Sequence, residues 1–216
     1  MKFFVSLALA FVSFLFPFMT SAASKSDIPA NLSGKHTVIL KTTMGDITLE
    51  LNADTAPKTV TNFVTLAGRG YYDGVIFHRV IPGFMIQGGD PDGTGRGGES
   101  IFGSTFADEL GKDLSMKRGT LAMANRGPDT NGSQFFILQA DSYQGPYTQF
   151  GTVTKGMDVV DAISAVDRDG NDKPLKPVSF TATVAGAPKK LGDLRKEIVM
   201  KRKAAAKVRI LKRSQK

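Results

Sequence analysis

The stretch from Phe77 to Asp90, FHRVIPGFMIQGGD, sets one guanidinium, Arg79, among Phe84, Met85 and other apolar side chains, with Gln87 just beyond. An always-charged donor with rigid geometry can stabilise a polar group held in apolar surroundings, and no covalent step is needed. Alternation along an extended strand predicts that Phe77, Arg79 and Ile81 share one face and that His78 lies on the other. Pro82-Gly83 interrupts the pattern, after which Met85 and Gln87 again share a face. A second block, MANRGPDTNGSQFFI from Met123 to Ile137, adds Asn125, Gln134 and Phe136. His78 reads better as a buried, hydrogen-bonded structural residue than as a catalyst. The chain has no Cys, and His36 is its one other His. Disulfides, thiolate nucleophiles and histidine-rich metal sites are therefore excluded.

These residues need a scaffold, and the pattern around them supplies short strands and two helices. His36 to Lys41 and Ile47 to Leu51 read as strands around Met44-Gly45-Asp46, the second with Ile47, Leu49 and Leu51 on a buried face. A helix follows, with Asp54 or Thr55 as its cap, Pro57 in its first turn and Gly68 at its exit. Val60, Phe63, Val64 and Ala67 form its apolar stripe. Further strands are expected at Gly119 to Asn125, Gln134 to Gln139 and Val178 to Val184. A second helix from Gly156 to Ser164 turns Val159, Val160 and Ile163 inward. Many short strands with only two helices suggest a closed antiparallel barrel. Gly93 to Gly98 matches GxGxxG literally, but no buried strand precedes it and no helix follows, so dinucleotide binding is not indicated. The Asp90 to Ile101 run fails as a calcium loop at its twelfth position.

The ends of the 216-residue chain differ from its middle. Met1-Lys2, an apolar run from Phe3 to Phe18 and Thr20-Ser21-Ala22-Ala23 read as a secretory signal over 1–23, with export to the periplasm or medium; the alternative is an uncleaved membrane anchor. Residues 24–35 read as a linker. The formal charge is +8, yet Lys189 to Lys216 carries twelve Lys or Arg against Asp193 and Glu197. The basic character thus belongs to a tail, 187–216, while the rest of the chain is slightly acidic. Such a tail suits anionic membrane, envelope polymer or nucleic acid, or serves as a solvated extension without a partner.

Taken in order, APKTVTNF (Ala56–Phe63), GYYDGVIFHRV, GGDPDGTGRGGESIFGSTFADEL and FGTVTKGMDVVDAI (Phe150–Ile163), with the two blocks above, resemble the cyclophilins, the peptidyl-prolyl cis-trans isomerases. The resemblance runs from His36 to Val184. It implies a mainly β fold over 36–186: a closed eight-stranded antiparallel barrel capped by two helices, working without metal, nucleotide or redox cofactor; a monomer is the expectation, though the sequence does not fix the oligomeric state. It implies Arg79 as the catalytic residue, acting on the twisted amide of an X–Pro bond. Phe84, Met85 and Phe136 would form the proline pocket. Gln87, Asn125 and Gln134 would hold the substrate backbone or orient Arg79, and the main chain at Ala124 and Asn125 would pair with the peptide. The chain departs from the family in the loop Gln139 to Gln149, which is shortened. Many members carry a Trp and a His there, whereas this chain has no Trp; Tyr143 would fill the Trp region and Tyr147 the His position. That departure implies weak binding of cyclosporin-like cyclic peptides. Clients would be proline-containing polypeptides, and a barrel that only holds such segments is the competing reading.

Overall fold

The computed structural model describes residues 28–111, 116–142 and 145–186. The expected signal segment, the basic segment after residue 186 and Tyr143 lie outside the described residues. Among the described residues, nine strands form one antiparallel sheet: β1 (Lys35–Thr42), β2 (Gly45–Asn52), β3 (Val75–Ile76), β4 (Arg79–Ile81), β5 (Met85–Gly88), β6 (Thr120–Met123), β7 (Phe135–Leu138), β8 (Gln149–Lys155) and β9 (Ser179–Val184). Their order is β3-β9-β1-β2-β8-β6-β7-β5-β4. The two outermost strands, β3 and β4, are separated in the chain only by Phe77-His78. The sheet therefore curls until its edges meet in one stretch of backbone; counted as one strand, that stretch gives eight. Closure of this kind leaves little exposed edge for unwanted pairing.

Helix α1 (Pro57–Arg69) packs on β2 and β9, and α2 (Met157–Ser164) packs on β2, β4 and β5. The ends of α1 differ from the sequence expectation. Asp54 accepts the Gly34 N–H (2.7 Å) and the Thr55 hydroxyl donates to the Asn52 carbonyl (3.1 Å), so neither caps the helix. The N-cap is Ala56, with Pro57 in the first turn. Glu109, from a distant loop, accepts the N–H groups of Lys58 (3.0 Å) and Thr59 (2.8 Å). A carboxylate there satisfies two orphan donors and faces the positive end of the helix dipole. The exit is Gly70, not Gly68: with φ 77° it adopts the left-handed conformation that glycine tolerates, and its N–H donates to Ala67. The expected linker also differs at its end, because the Leu32 N–H donates to Thr61 Oγ1 (2.8 Å) and the Leu32 side chain packs on the core.

The interior is apolar and rich in aromatic rings. Phe63 of α1 meets Tyr72, Phe135 and Phe150 with ring centroids 5.1 to 5.3 Å apart. Phe77 stacks obliquely on Phe180 at 4.8 Å. Phe77 thus faces the core with Val80, not the surface with Arg79. The cause is the break between β3 and β4, which shifts the alternation by one residue, so Arg79 and Ile81 point outward while Phe77 and Val80 point in.

Candidate active site

Antiparallel register assembles the site on the outer face of the barrel. Residues directly opposite one another project to the same side. Arg79 on β4 stands opposite Gln87 on β5, Gln87 opposite Phe136 on β7, and Phe136 opposite Ala122 on β6. The next row sets Ile81 opposite Met85 and Met85 opposite Leu138. Two strand spacings, about 10 Å, separate Arg79 from Phe136, room enough for a proline ring and the peptide bond before it. Met85, Met116, Ala122, Phe136 and Leu138 form an apolar cluster separate from the core, with Ile81, Phe84, Ala124 and Tyr147 packed beside it. Tyr147 meets Phe136 edge to face, with ring centroids at 5.2 Å.

Phe84 is carried by the turn after Pro82-Gly83, and that turn is pinned. Its carbonyl accepts the Gln139 N–H (2.7 Å), while the Gln139 side-chain oxygen accepts the Gly83 N–H (2.8 Å). Gln139 also donates to Asp161 on α2 (2.9 Å), which takes a two-pronged bond from Arg118 (2.7 and 2.6 Å). Arg118 and Gln139 together hold the Asp161 carboxyl below the usual carboxylate range.

Gln87, Gln134, Ala124 and Asn125 belong to an adjoining, more polar cleft of about 370 Å³, bounded by the glycine-rich loop at Arg96 to Glu99. Gln87 donates to Gln134 (3.0 Å), which donates to the Gly97 carbonyl (2.8 Å). Asp108 accepts from Asn125 (3.4 Å) and from Asn131 (2.7 Å), fixing the turn that carries Asn125. The Ala124 N–H already donates to Gln134, so it is not the group that would pair with a peptide. The glycine-rich loop folds around Asp90. Its carboxylate is fully buried and accepts N–H groups of Asp92, Thr94 and Gly97. Burial pushes that carboxyl up, but these bonds outweigh it and hold it below the usual range. Gly89, with φ 91°, leads into the loop where any side chain would collide with the Ser133 carbonyl.

Comparison with known proteins is decisive on family. The model described as "Cyclophilin type peptidyl-prolyl cis-trans isomerase/CLD" matches residues 37–184. The chain belongs to the cyclophilins. It is 50% identical over 149 residues to peptidyl-prolyl cis-trans isomerase CYP18-2 of Arabidopsis thaliana, covering 68% of this chain and 91% of the relative. It is 52% identical over 151 residues to the isomerase ppi1 of Schizosaccharomyces pombe, covering 68% and 97%. Among solved structures, the cyclophilin type isomerase of Cryptosporidium parvum superposes with a TM-score of 0.67 at 40% identity, covering 71% of this chain and 99% of that one. A second structure of that protein, solved in the presence of the dipeptide Ala-Pro, gives 0.66 at 39% identity. This chain is accordingly a cyclophilin-type peptidyl-prolyl cis-trans isomerase.

Several residues of this cyclophilin site had no part in the sequence reading. Leu138 follows Phe136 at strand period and was legible by the same alternation. Met116 reaches the pocket from a loop bridged to Ser142, a contact no local pattern announces. Asp172 is an ionic partner of Arg79, Oδ2 to Nε 3.8 Å, in addition to Gln87, which stands opposite Arg79 on β5.

His78 is buried as expected but not hydrogen-bonded: neither ring nitrogen has a partner among the described residues. Burial lowers its pKa below 6.5; Asp90 opposes this and Lys173 and Arg79 reinforce it. The unfolded chain then binds the proton more readily than the folded one, so stability rises with pH in this window. We expect stability to fall as pH drops below about 6.5 and to level off below the folded-state pKa. Urea midpoints between pH 7 and 5, compared with those of His78→Leu, check this. The variant should lack the slope, and an unchanged slope would assign it to another group.

Proposed function

We propose that this cyclophilin accelerates rotation about X–Pro bonds by electrostatic stabilisation of the twisted amide, with Arg79 as the donor and the Met85–Phe136 cluster as the proline seat. The planar amide owes a barrier of about 18–20 kcal/mol to delocalisation of the nitrogen lone pair. Twisting returns that lone pair to nitrogen, and a guanidinium aimed at it favours the twisted state over the planar one. Lowering the barrier by about 7 kcal/mol gives roughly 10⁵-fold acceleration. An apolar wall strengthens the charge and holds the ring without holding the rotation back. The single observation that carries this reading is the shared outer face of Arg79, Gln87 and Phe136 on three neighbouring strands. The Ala-Pro dipeptide used with the Cryptosporidium relative supports proline-containing peptides as ligands. Gln87, Gln134 and Asn125 would hold the peptide backbone beyond the ring.

The clients we propose are exported proteins, on the strength of the apolar leader, with the basic tail as a separate salt-sensitive anchor for anionic surfaces. The test is a proline-isomerisation assay with the purified full chain, run with cell fractionation. Catalysed exchange in an X–Pro peptide, with the protein outside the cytoplasm, is the expected result. Binding without acceleration would reduce the chain to a proline-binding module, and a cytoplasmic location would remove the export reading alone.

A further inference from the structure

The segment between α2 and β9 is built as a small hairpin whose tip reaches the catalytic arginine. Arg168 bridges to Pro174, and the Asp169 N–H donates to the Lys173 carbonyl (2.9 Å). The Asp169 carboxylate accepts the N–H groups of Asn171 (2.8 Å) and Lys173 (3.0 Å), closing the turn. Two bonds then fasten this tip to the barrel. The Asp172 carbonyl accepts the N–H of Val80, the residue after Arg79 (2.8 Å), and Lys173 Nζ donates to the Gly93 carbonyl of the glycine-rich loop (3.1 Å). Asp172 itself has φ 62°, uncommon for a residue other than glycine though tolerated by Asp.

That backbone delivers one carboxylate to two guanidinium groups. Asp172 Oδ1 lies 3.3 Å from Arg168 Nε, and Oδ2 lies 3.8 Å from Arg79 Nε. The side chains of Arg79 and Asp172 are 44% and 34% exposed, so the pair contributes little to stability. We propose that Asp172 is a positioning residue for the isomerase reaction, engaging the Nε edge of Arg79 and leaving its terminal nitrogens for the substrate amide. Arg168 fixes the other carboxylate oxygen and so sets the direction of Oδ2. A long arginine side chain on an open face has many rotamers; a fixed anion at one edge narrows them before substrate arrives. Preorganisation of this kind acts on turnover more than on binding, because the donor matters most in the twisted state.

The inference rests on Arg79 being the donor, and the test separates the two. Asp172→Gly removes the carboxylate without strain at φ 62°, while Asp172→Asn keeps the shape but has one acceptor oxygen in place of two and no charge. We expect Asp172→Gly to lower kcat about tenfold with KM nearly unchanged, and Asp172→Asn, whose single acceptor oxygen cannot serve both guanidinium groups, to recover at most part of that loss. Both should unfold near the wild-type temperature. The same Gly substitution in an Arg79→Ala background, assayed at raised enzyme concentration, should cost nothing further. Wild-type turnover in Asp172→Gly would overturn the positioning role and leave the arginine reading standing. An equal loss with and without Arg79 would overturn it as well. Wild-type activity in Arg79→Ala alone would remove the arginine reading first, and the positioning role with it.

Discussion

Arg79→Ala should lose isomerase activity by a factor on the order of 10² or more while remaining folded. A preorganised donor removed from a partly dry site typically costs this much in turnover. Arg79 points out of the barrel and its side chain is nearly half exposed, so its loss leaves no cavity in the core. The loss should fall on kcat more than on KM, because the interaction belongs chiefly to the twisted state. Peptide isomerisation kinetics check the activity, and thermal unfolding checks the fold. A folded variant keeping more than about half of the wild-type kcat/KM would mean that the barrier is lowered by the pocket alone, without a guanidinium at the nitrogen.

Strand alternation read the two-stranded start of the domain well, because β1 and β2 are regular: Ile47, Leu49 and Leu51 are buried as their spacing requires. It misplaced Phe77 because two residues outside any strand separate β3 from β4, and a one-residue shift turns every later side chain over. The grouping of Phe84, Met85 and Phe136 was implied by the family resemblance alone; in the structure the pairing of β5 with β7 brings them into one apolar cluster. The support of Arg79 was not legible. Asp172 lies more than ninety residues further along and reaches Arg79 only through a hairpin closed by Asp169 and docked by main-chain bonds. Sequence spacing carries no trace of such a contact. The same holds for Glu109, which caps α1 from fifty residues away while the nearby Asp54 and Thr55 bond elsewhere. Local capping rules assign the nearest polar residue; tertiary structure can supply a distant one.

Two adjacent phenylalanines on β7 offer the sharpest test of which face does the chemistry. Phe135 is fully buried and lies against the rings of Phe63, Tyr72 and Phe180 inside the barrel. Phe136 points the other way, into the surface cluster with Met85 and Tyr147. Phe135→Ala opens a cavity in a close-packed interior and should cost about 3–5 kcal/mol of stability. For a domain of this size that lowers the unfolding temperature by roughly 10 °C. Phe136→Ala empties a ring-sized space in the smaller cluster on the outer face, where Phe136 is 6% exposed, and should cost somewhat less, about 2–3 kcal/mol. Its effect on function should be the larger: the proline ring loses a wall in both planar and twisted states. KM should therefore rise, and kcat/KM should fall about tenfold or more. Arg79→Ala, by contrast, acts on kcat, so the two substitutions separate holding the ring from lowering the barrier. Melting curves and isomerisation kinetics for both phenylalanine variants decide the matter. Full activity in folded Phe136→Ala, or bound proline peptide mapped away from Phe136 and Met85, would move the proline seat off this face.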